Sequence, residues 1–475
     1  MLFSSLLFLF VFLPVLLILY YTLCVKSIVA KNILLLCASL FFYAWGEPKF
    51  VIIMLLSITA NYFFGLKVNG NILWIRRLFL VFSIAFNLLL LFIFKYLNFA
   101  ISNINTVFND VLPQTDIALP IGISFFTFQA MSYVIDVYRG TVKVQKNPFY
   151  LALYISFFPQ LIAGPIVRYS TIEEQISNRR VTMDDFSEGV RRFLIGVSKK
   201  VILANNFALI ADQAFLMIDN DAVTIAFAWL GSLAYTLQIF FDFSAYSDMA
   251  IGLGRMFGFH FLENFNYPYI SASVSEFWRR WHISLGMWFR DYVYFPLGGS
   301  RVESKALLIR NLFIVWFLTG VWHGANWTFV LWGLLYFVLI SIEKMLDIPN
   351  RWKSSFLKIV YGVFTFFSVN AGWVLFRADN IGEAIDYLKT MFGFGNQTLY
   401  DNLFIQYIGE YWVLILAGAI YSIGMFKFLR VKMASNNFTD KLADCVGMVV
   451  YNVLFIVSVS YLVMGAYNPF IYFNF

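Results

Sequence analysis

Apolar runs that approach twenty residues recur along this chain, and they limit its fold more than any other feature. Examples are Leu78 to Phe94 and Leu119 to Tyr138. About 20 apolar residues in a helix cross the hydrocarbon core of a bilayer, which is about 30 Å thick. A membrane β-barrel would show alternating segments of about ten residues instead. Only 13% of the residues are charged, well below the roughly 25% of soluble proteins. The sequence therefore predicts an all-α polytopic membrane protein.

Basic residues alternate between loops and predict the orientation of the chain. Cytoplasmic loops of membrane proteins are enriched in Lys and Arg. Met1 to Val25 carries no charged side chain, which predicts a retained first helix and not a cleaved signal peptide. The loops expected on the outer side hold Gly46–Pro48, and Asp110 with Asp116. The pattern predicts an amino terminus outside, and the cytoplasmic loops carry Lys26, Lys31, Lys67, Arg76, Arg77, Arg139, Lys143 and Lys146.

About eleven or twelve transmembrane helices are expected in a single membrane domain over residues 1–475. The expected parts are amino-terminal spans (1–140), a core with re-entrant and cytoplasmic helices (149–310), a helix pair (307–345) and carboxyl-terminal spans (356–475).

Parts of the core do not fit full spans. Phe149 to Ala163 is short and stops at Gly164-Pro165, which predicts a re-entrant helix. Thr171 to Lys200 mixes acidic and basic residues, which predicts a cytoplasmic amphipathic segment. Two spans are expected next, Phe193 to Met217 and Val223 to Phe241, with Asp219-Asn220-Asp221 between them on the outer side.

His323 is one of three histidines and lies between two apolar runs. Because Leu307 to Ile342 is too long for one straight span, two helices are expected to meet at this residue. A full charge inside hydrocarbon costs roughly 2.5–3.5 kcal/mol, so intramembrane ionisable groups are often functional. Histidine also exchanges protons near neutral pH. A catalytic role and a hydrogen-bonded packing role are equally open from the position alone.

His282 is the second candidate, within an interrupted, basic block between Phe243 and Arg310. Irregular backbone at membrane depth lines a cavity or is buried in protein, so this block is expected to form the floor of a cavity. Its arginines and lysines place it on the cytoplasmic side, across the membrane from the turn at His323. An interfacial Trp-Arg-His belt is the alternative explanation. His260 is interpreted as structural.

The remaining motifs exclude several chemistries. The three histidines have no metal-ligand spacing, the three cysteines form no Cys-x-x-Cys pair, and no Walker A sequence occurs. The net charge of +7 is explained by loop placement, so no nucleic-acid partner is expected. Histidines without a paired Ser or Cys nucleophile suit general-base catalysis. A proton-coupled transporter that uses them with Asp242 as relays remains the other class.

Several segments together resemble the membrane-bound O-acyltransferase family, in its bacterial alginate O-acetyltransferase branch. The carboxyl-terminal Asn468 to Phe475 occurs in similar form across several branches. The segments that carry the resemblance are Leu119–Phe125, Phe158–Pro165, Phe241–Gly252, Glu276–His282, Leu297–Gly299 and Trp322–Gly324.

The resemblance implies a ring of helices around a central funnel and a catalytic role for His323. His282 matches the second motif histidine of the family. Expected substrate-binding residues, including those that shape the cytoplasmic entrance, are Trp322, Asn326, Arg279, Arg280, Asn264 and Asn266.

The implied reaction moves an acetyl group from a cytoplasmic donor across the bacterial inner membrane to an exported polysaccharide. The donor is acetyl-coenzyme A or an acyl carrier thioester, no cofactor or metal is bound, and exported acetyltransferase proteins are the expected partners. Peptidoglycan O-acetylation and teichoic-acid D-alanyl transfer are the alternatives within the family. A conduit for acetyl groups or protons that performs no chemistry is the alternative of another class.

Overall fold

A computed structural model describes residues 1–24, 27–162, 164–218, 223–395 and 397–471. Within these ranges the regular structure is entirely helical. The first ten α-helices are α1 Leu13–Thr22, α2 Ile28–Gly46, α3 Val51–Val68, α4 Leu73–Leu91, α5 Leu97–Phe108, α6 Ile123–Arg139, α7 Pro148–Ser156, α8 Phe158–Leu161, α9 Tyr169–Asn178 and α10 Met183–Ser198.

The second half of the chain continues the helical pattern. Its helices are α11 Asn205–Leu216, α12 Ile225–Met256, α13 Val274–Arg280, α14 Ile283–Phe289, α15 Lys305–His323, α16 Trp327–Leu346, α17 Ser355–Arg377, α18 Ile381–Met391, α19 Asn402–Ser422, α20 Met425–Met433 and α21 Asn437–Val463.

Ten helical stretches in the described ranges are long and apolar enough to cross a membrane, against the eleven or twelve expected. Phe8–Thr22 is apolar but shorter. Leu73–Phe108 forms one stretch of 36 residues because a π-helical turn at Phe92–Tyr96 carries the helix past the expected end. The fold class of an all-α multi-pass membrane protein is confirmed. Lys26, Ala163, Asp219–Asp221 and residues 472–475, on which some expectations rest, lie outside the described ranges.

The chain divides into two compact units, residues 1–193 with 246–262, and residues 194–245 with 263–475. In the first unit, α3 packs against α4 and α6. Asn61 and Asn87 form a reciprocal amide pair between α3 and α4, with N···O distances of 2.8 and 3.1 Å. Satisfied polar pairs of this kind hold membrane helices together. The single domain expected over the whole chain stays a prediction.

The segment expected to be re-entrant lies in the first unit and is broken into two short helices. Phe157 separates α7 from α8 with a non-helical backbone (φ −56°, ψ 110°). Pro159 stands in the first turn of α8, where a missing N–H costs no helical hydrogen bond. Since α7 packs against α2 and α3, the segment is buried within protein.

The expected cytoplasmic amphipathic segment was wrong at its carboxyl-terminal end. Thr171 to Lys200 forms α9 and α10, but α10 continues through a π-helical turn at Lys199–Ala204 into α11. Lys200 is only 1% exposed and forms an ion pair with Asp242 at 2.7 Å. The ion pair with Asp242 explains how this lysine is accommodated in the interior of a helical stretch.

The Lys200–Asp242 pair also fixes the carboxyl-terminal segment of the second unit. Lys200 donates a hydrogen bond to the carbonyl of Pro469. The backbone N–H of Ile471 donates to Asp242 at 3.1 Å. Asp242 therefore has a structural partner on each oxygen, which supports an anchoring role over the proton-relay alternative.

The two helices expected to meet at His323 are α15 and α16, and this prediction is confirmed. They approach closely through glycines. A Cβ atom on Gly320 would lie 2.5 Å from the carbonyl oxygen of Phe329, and one on Gly333 would lie 2.4 Å from that of Trp316. Both distances are shorter than a nonbonded contact, so no larger residue fits without separating the helices.

Gly320→Ala is expected to destabilise the protein by about 1–3 kcal/mol, because the methyl group overpacks the contact between α15 and α16. The thermal midpoint of the detergent-solubilised protein, followed by tryptophan fluorescence, measures the effect. Gly409→Ala on α19 is the matched control, since nothing lies within 4 Å of its Cβ position. Equal midpoints for the two variants would contradict the close packing.

Candidate active site

His323 is the last residue of α15 and is only 6% exposed. Aromatic rings surround its imidazole. The ring centroids of Trp322, Trp332 and Phe376 lie 4.9, 4.8 and 5.2 Å from that of His323. These contacts exclude bulk water from the imidazole and fix the plane of its ring.

Gly324 gives the turn after His323 its shape. A Cβ atom on Gly324 would lie 2.1 Å from the ring of Phe329, so this ring occupies the space that a side chain would need. Phe329 in turn packs on Phe376 at 4.9 Å. The Trp-His-Gly motif thus joins α15, α16 and α17 in one aromatic layer.

Asn326 is the N-cap of α16. Its side-chain oxygen accepts a hydrogen bond from the N–H of Thr328 at 3.1 Å, which satisfies one of the free donors at a helix start. Its amide group donates to the carbonyl of Asp379 at 2.7 Å. These contacts fix the turn, and the expected contact of Asn326 with substrate stays a prediction.

His282 lies next to Trp322, and the expectation that it sits across the membrane from His323 was wrong. The ring centroids of His282 and Trp322 are 6.2 Å apart. Trp322 therefore contacts both histidines. The charge pattern identified the block around His282 as basic. It could not show that the fold brings His282 next to Trp322.

Burial dominates the protonation of His282, which is only 3% exposed. Desolvation lowers the pKa of its imidazole to about 3, because a charged ring is unfavourable away from water. The ring is therefore neutral at physiological pH. It can exchange hydrogen bonds with a ligand, but it does not offer a positive charge to one.

Asn264 holds the backbone turn at His282. His282 has a left-handed backbone conformation (φ 44°) that residues other than glycine rarely adopt. The side-chain oxygen of Asn264 accepts from the N–H of Ser284 at 3.1 Å and from its hydroxyl at 2.9 Å. Its backbone carbonyl accepts from the N–H of Ile283 at 2.9 Å. Asn264 is thus placed to position His282, and direct substrate binding by Asn264 stays a prediction.

Arg280 and Asn266 contact each other and not the cavity described below. The N–H of Asn266 donates to the carbonyl of Arg280 at 2.9 Å. The Arg280 guanidinium donates to the carbonyl of Asn266 at 3.2 Å and forms an ion pair with Glu276 at 2.8 Å. The Arg280 side chain and the Asn266 backbone therefore have structural partners on the protein. The predicted role of both residues at the entrance stays a prediction.

A cavity of about 510 Å³ lies between α13, α14, α15 and α16. His282 and Arg279 line it, together with two further cations, Arg290 and Lys344. Trp278, Trp316 and Leu312 supply apolar walls. A carboxylate neighbour, Asp291, raises the pKa of Arg290. The cavity thus combines apolar walls with several positive charges.

His323 is separated from this cavity by aromatic side chains. Thr319, one helical turn before His323, lines the cavity, but His323 does not. The ring of Trp278 in the cavity wall lies 5.4 Å from that of Trp332, which contacts His323. A ligand in the cavity would therefore approach the histidine through this aromatic layer.

Glu343 and Lys344, at the end of α16, were missed by the sequence interpretation. They follow the apolar run from Thr328 to Ile340, and no role was predicted for them. Lys344 lines the cavity, whereas Glu343 is only 2% exposed. An acidic residue close behind a long apolar run is the signal that could have found them. In the described ranges no group of three or more His, Cys, Asp or Glu side chains could hold a metal ion.

Known proteins are similar in sequence to this chain over most of its length. The model of MBOAT, the membrane-bound O-acyltransferase family, matches residues 68–348. A protein from Pseudomonas putida named "Probable alginate O-acetylase AlgI" is 40% identical, with 100% of both chains aligned. One of the same name from Azotobacter vinelandii is 44% identical over 84% of this chain and 80% of its own. A peptidoglycan O-acetyltransferase from Helicobacter pylori is 38% identical over 84% and 81%.

A multi-pass helical fold with these similarities defines a membrane enzyme that transfers acyl groups to hydroxyl groups. The chain belongs to the membrane-bound O-acyltransferase family, and the resemblance inferred from its motifs is confirmed.

Proposed function

We propose that this O-acyltransferase takes an acetyl group from a cytoplasmic thioester and passes it across the inner membrane for O-acetylation of an exported, alginate-like polysaccharide. The observation that carries the proposal is the position of His323. It lies buried at a helix junction, one aromatic layer from a basic cavity that His282 lines. Two of its neighbours in that layer, Trp322 and Trp332, connect the candidate base to the candidate donor site.

The apolar walls and the positive charges of the cavity support a phosphopantetheine thioester as donor. Arg279, Arg290 and Lys344 suit phosphate groups, because guanidinium and ammonium groups form strong charge-assisted hydrogen bonds with phosphate oxygens. The apolar walls suit the pantetheine arm. Free acetyl-coenzyme A and an acetylated carrier protein share this chemistry, so both are donors to be tested.

His323 serves as the general base in the proposed reaction. The acceptor hydroxyl gives its proton to the imidazole as its oxygen bonds to the acyl carbon. The carbon–sulfur bond then breaks, and the thiolate takes the proton from the imidazolium. The products are an O-acetyl ester and a free thiol. His282, neutral and in the cavity wall, orients the thioester by hydrogen bonding.

The proposed topology places the donor cavity on the cytoplasmic side and the amino terminus outside. The concentration of cations around the cavity supports this orientation, since basic residues are retained in the cytoplasm. Exported acetyltransferase proteins would receive or direct the acetyl group. The relatives named for alginate support a polysaccharide acceptor, and the similarity to the Helicobacter pylori enzyme supports peptidoglycan as a second candidate.

Inverted membrane vesicles from cells that express the protein with its neighbouring genes test this function. Radiolabelled acetyl-coenzyme A or acetylated carrier protein is added outside, which is the cytoplasmic face, and alginate or peptidoglycan fragments are sealed inside. We expect label esterified to the enclosed alginate. Label on the peptidoglycan fragments alone would select the second candidate, and label that enters only as free acetate would identify a conduit.

A further inference from the structure

Helix α13 forms a wall of the donor cavity, and its first turn is held from outside the helix. Ser275, Trp278 and Arg279 of α13 all line the cavity. The helix has seven residues, so it contains few internal hydrogen bonds of its own. Its position must therefore come from contacts with neighbouring elements.

The carboxylate of Glu343 supplies this contact. One oxygen accepts the N–H of Val274 at 2.6 Å, and the other accepts the N–H of Ser275 at 2.8 Å. The hydroxyl of Tyr361 donates to the first oxygen at 3.1 Å. Ser273 caps the next free donor, the N–H of Glu276, at 3.1 Å. Hydrogen bonds from backbone donors to a charged acceptor are stronger than neutral ones, so Glu343 is the dominant anchor of this turn.

Glu343 connects α13 to α16, which forms another wall of the cavity. Ile340 and Lys344, its neighbours on α16, line the cavity. The other end of α13 leads into the turn at His282, which Asn264 holds. Glu343 thus holds the start of α13, and Asn264 holds the turn that follows the end of α13.

We propose that Glu343 is a positioning residue for the thioester donor. It acts through α13 by holding Trp278 and Arg279 in the cavity wall, and it does not touch the donor itself. The proposal rests on the proposed function, because it takes the cavity as the donor site. Loss of the carboxylate frees two N–H groups of α13 and lets the wall move, which weakens donor binding more than it slows the chemical step at His323.

Hydrogen exchange and donor kinetics on the full-length protein in nanodiscs test the proposal together. Glu343→Ala is expected to speed amide exchange in residues 274–283 and to raise the KM for acetyl-coenzyme A by about tenfold or more, with a smaller change in kcat. Glu343→Gln keeps one acceptor oxygen, so its amide exchange and its KM should both lie between those of Glu343→Ala and wild type. Tyr361→Phe removes only the third hydrogen bond and is the matched control, with both values near wild type.

The outcomes separate this proposal from the proposed function. Unchanged exchange in residues 274–283 of Glu343→Ala overturns the anchoring role, whatever the kinetics show. Faster exchange with an unchanged KM overturns the role in donor binding. A fall in kcat alone, without rescue by Glu343→Gln, indicates a general structural role and also overturns it. If wild type itself does not bind acetyl-coenzyme A or the acetylated carrier, the proposed donor is wrong, and the exchange data still decide whether Glu343 anchors α13.

Discussion

His323→Ala is expected to slow acetyl transfer by about 10²- to 10⁴-fold, the usual contribution of a general base. The attacking hydroxyl is a weak nucleophile unless a neighbouring group takes its proton. Since His323 is held between Trp322, Trp332 and Phe376, no other imidazole replaces it without moving this layer. Binding of acetyl-coenzyme A should stay close to wild type, because His323 does not line the cavity. Initial rates and equilibrium binding on purified protein measure the two effects.

Two control variants make the result for His323 specific. His323→Gln keeps a polar side chain of similar length, and it should also be inactive because an amide does not accept the proton. His260→Ala removes an exposed histidine that contacts Asp185 at 3.0 Å, and it should keep the wild-type rate. Wild-type transfer by His323→Ala would show that His323 packs and does not act as a base.

The largest expected effect on stability comes from the buried ion pair. Asp242→Ala leaves the ammonium group of Lys200 without its carboxylate at a position where the side chain is 1% exposed. An uncompensated buried charge of this kind costs about 3–5 kcal/mol. The variant also loses the acceptor for the N–H of Ile471. We therefore expect a large fall in the thermal midpoint and faster proteolysis near the carboxyl terminus.

The double variant Lys200→Met with Asp242→Leu separates charge from packing. Apolar residues of similar volume often replace a buried pair at little cost. The double variant should therefore recover most of the stability that Asp242→Ala loses. If the double variant is as unstable as Asp242→Ala, the loss comes from the released Ile471 contact and not from the buried charge.

The helix junction at His323 was predictable because its signals are local. Long apolar runs stand on both sides of the residue, and a run of that length has to contain a turn. Gly320 and Gly333 let the two helices pack closely, because a Cβ atom at either position would overlap the backbone of the facing helix. Membership of the family was also predictable, because its motifs are contiguous in sequence.

The positions of His282, Lys200 and Glu343 were not predictable in the same way. Each is charged or ionisable and stands in or beside a polar stretch, and the local pattern does not show which partner it meets. Each is buried because a partner distant in sequence contacts it: Trp322 for His282, Asp242 for Lys200 and the start of α13 for Glu343. One sequence does not show such pairs, since the partners lie at unrelated spacings.

The contacts of Asn264 were not predictable for a related reason. Its motif is close to His282 in sequence, which indicated a shared site but not which atoms meet. The structure places its side chain on Ser284, so it supports the left-handed turn at His282.

A structure of the protein with a non-hydrolysable acetyl-coenzyme A analogue tests the central claim most directly. We predict that the phosphates lie among Arg279, Arg290 and Lys344, and that the pantetheine arm follows Trp278 and Trp316. The acyl carbon should reach the aromatic layer beside His323. An analogue bound elsewhere, or an acyl group that points away from His323, would contradict the account.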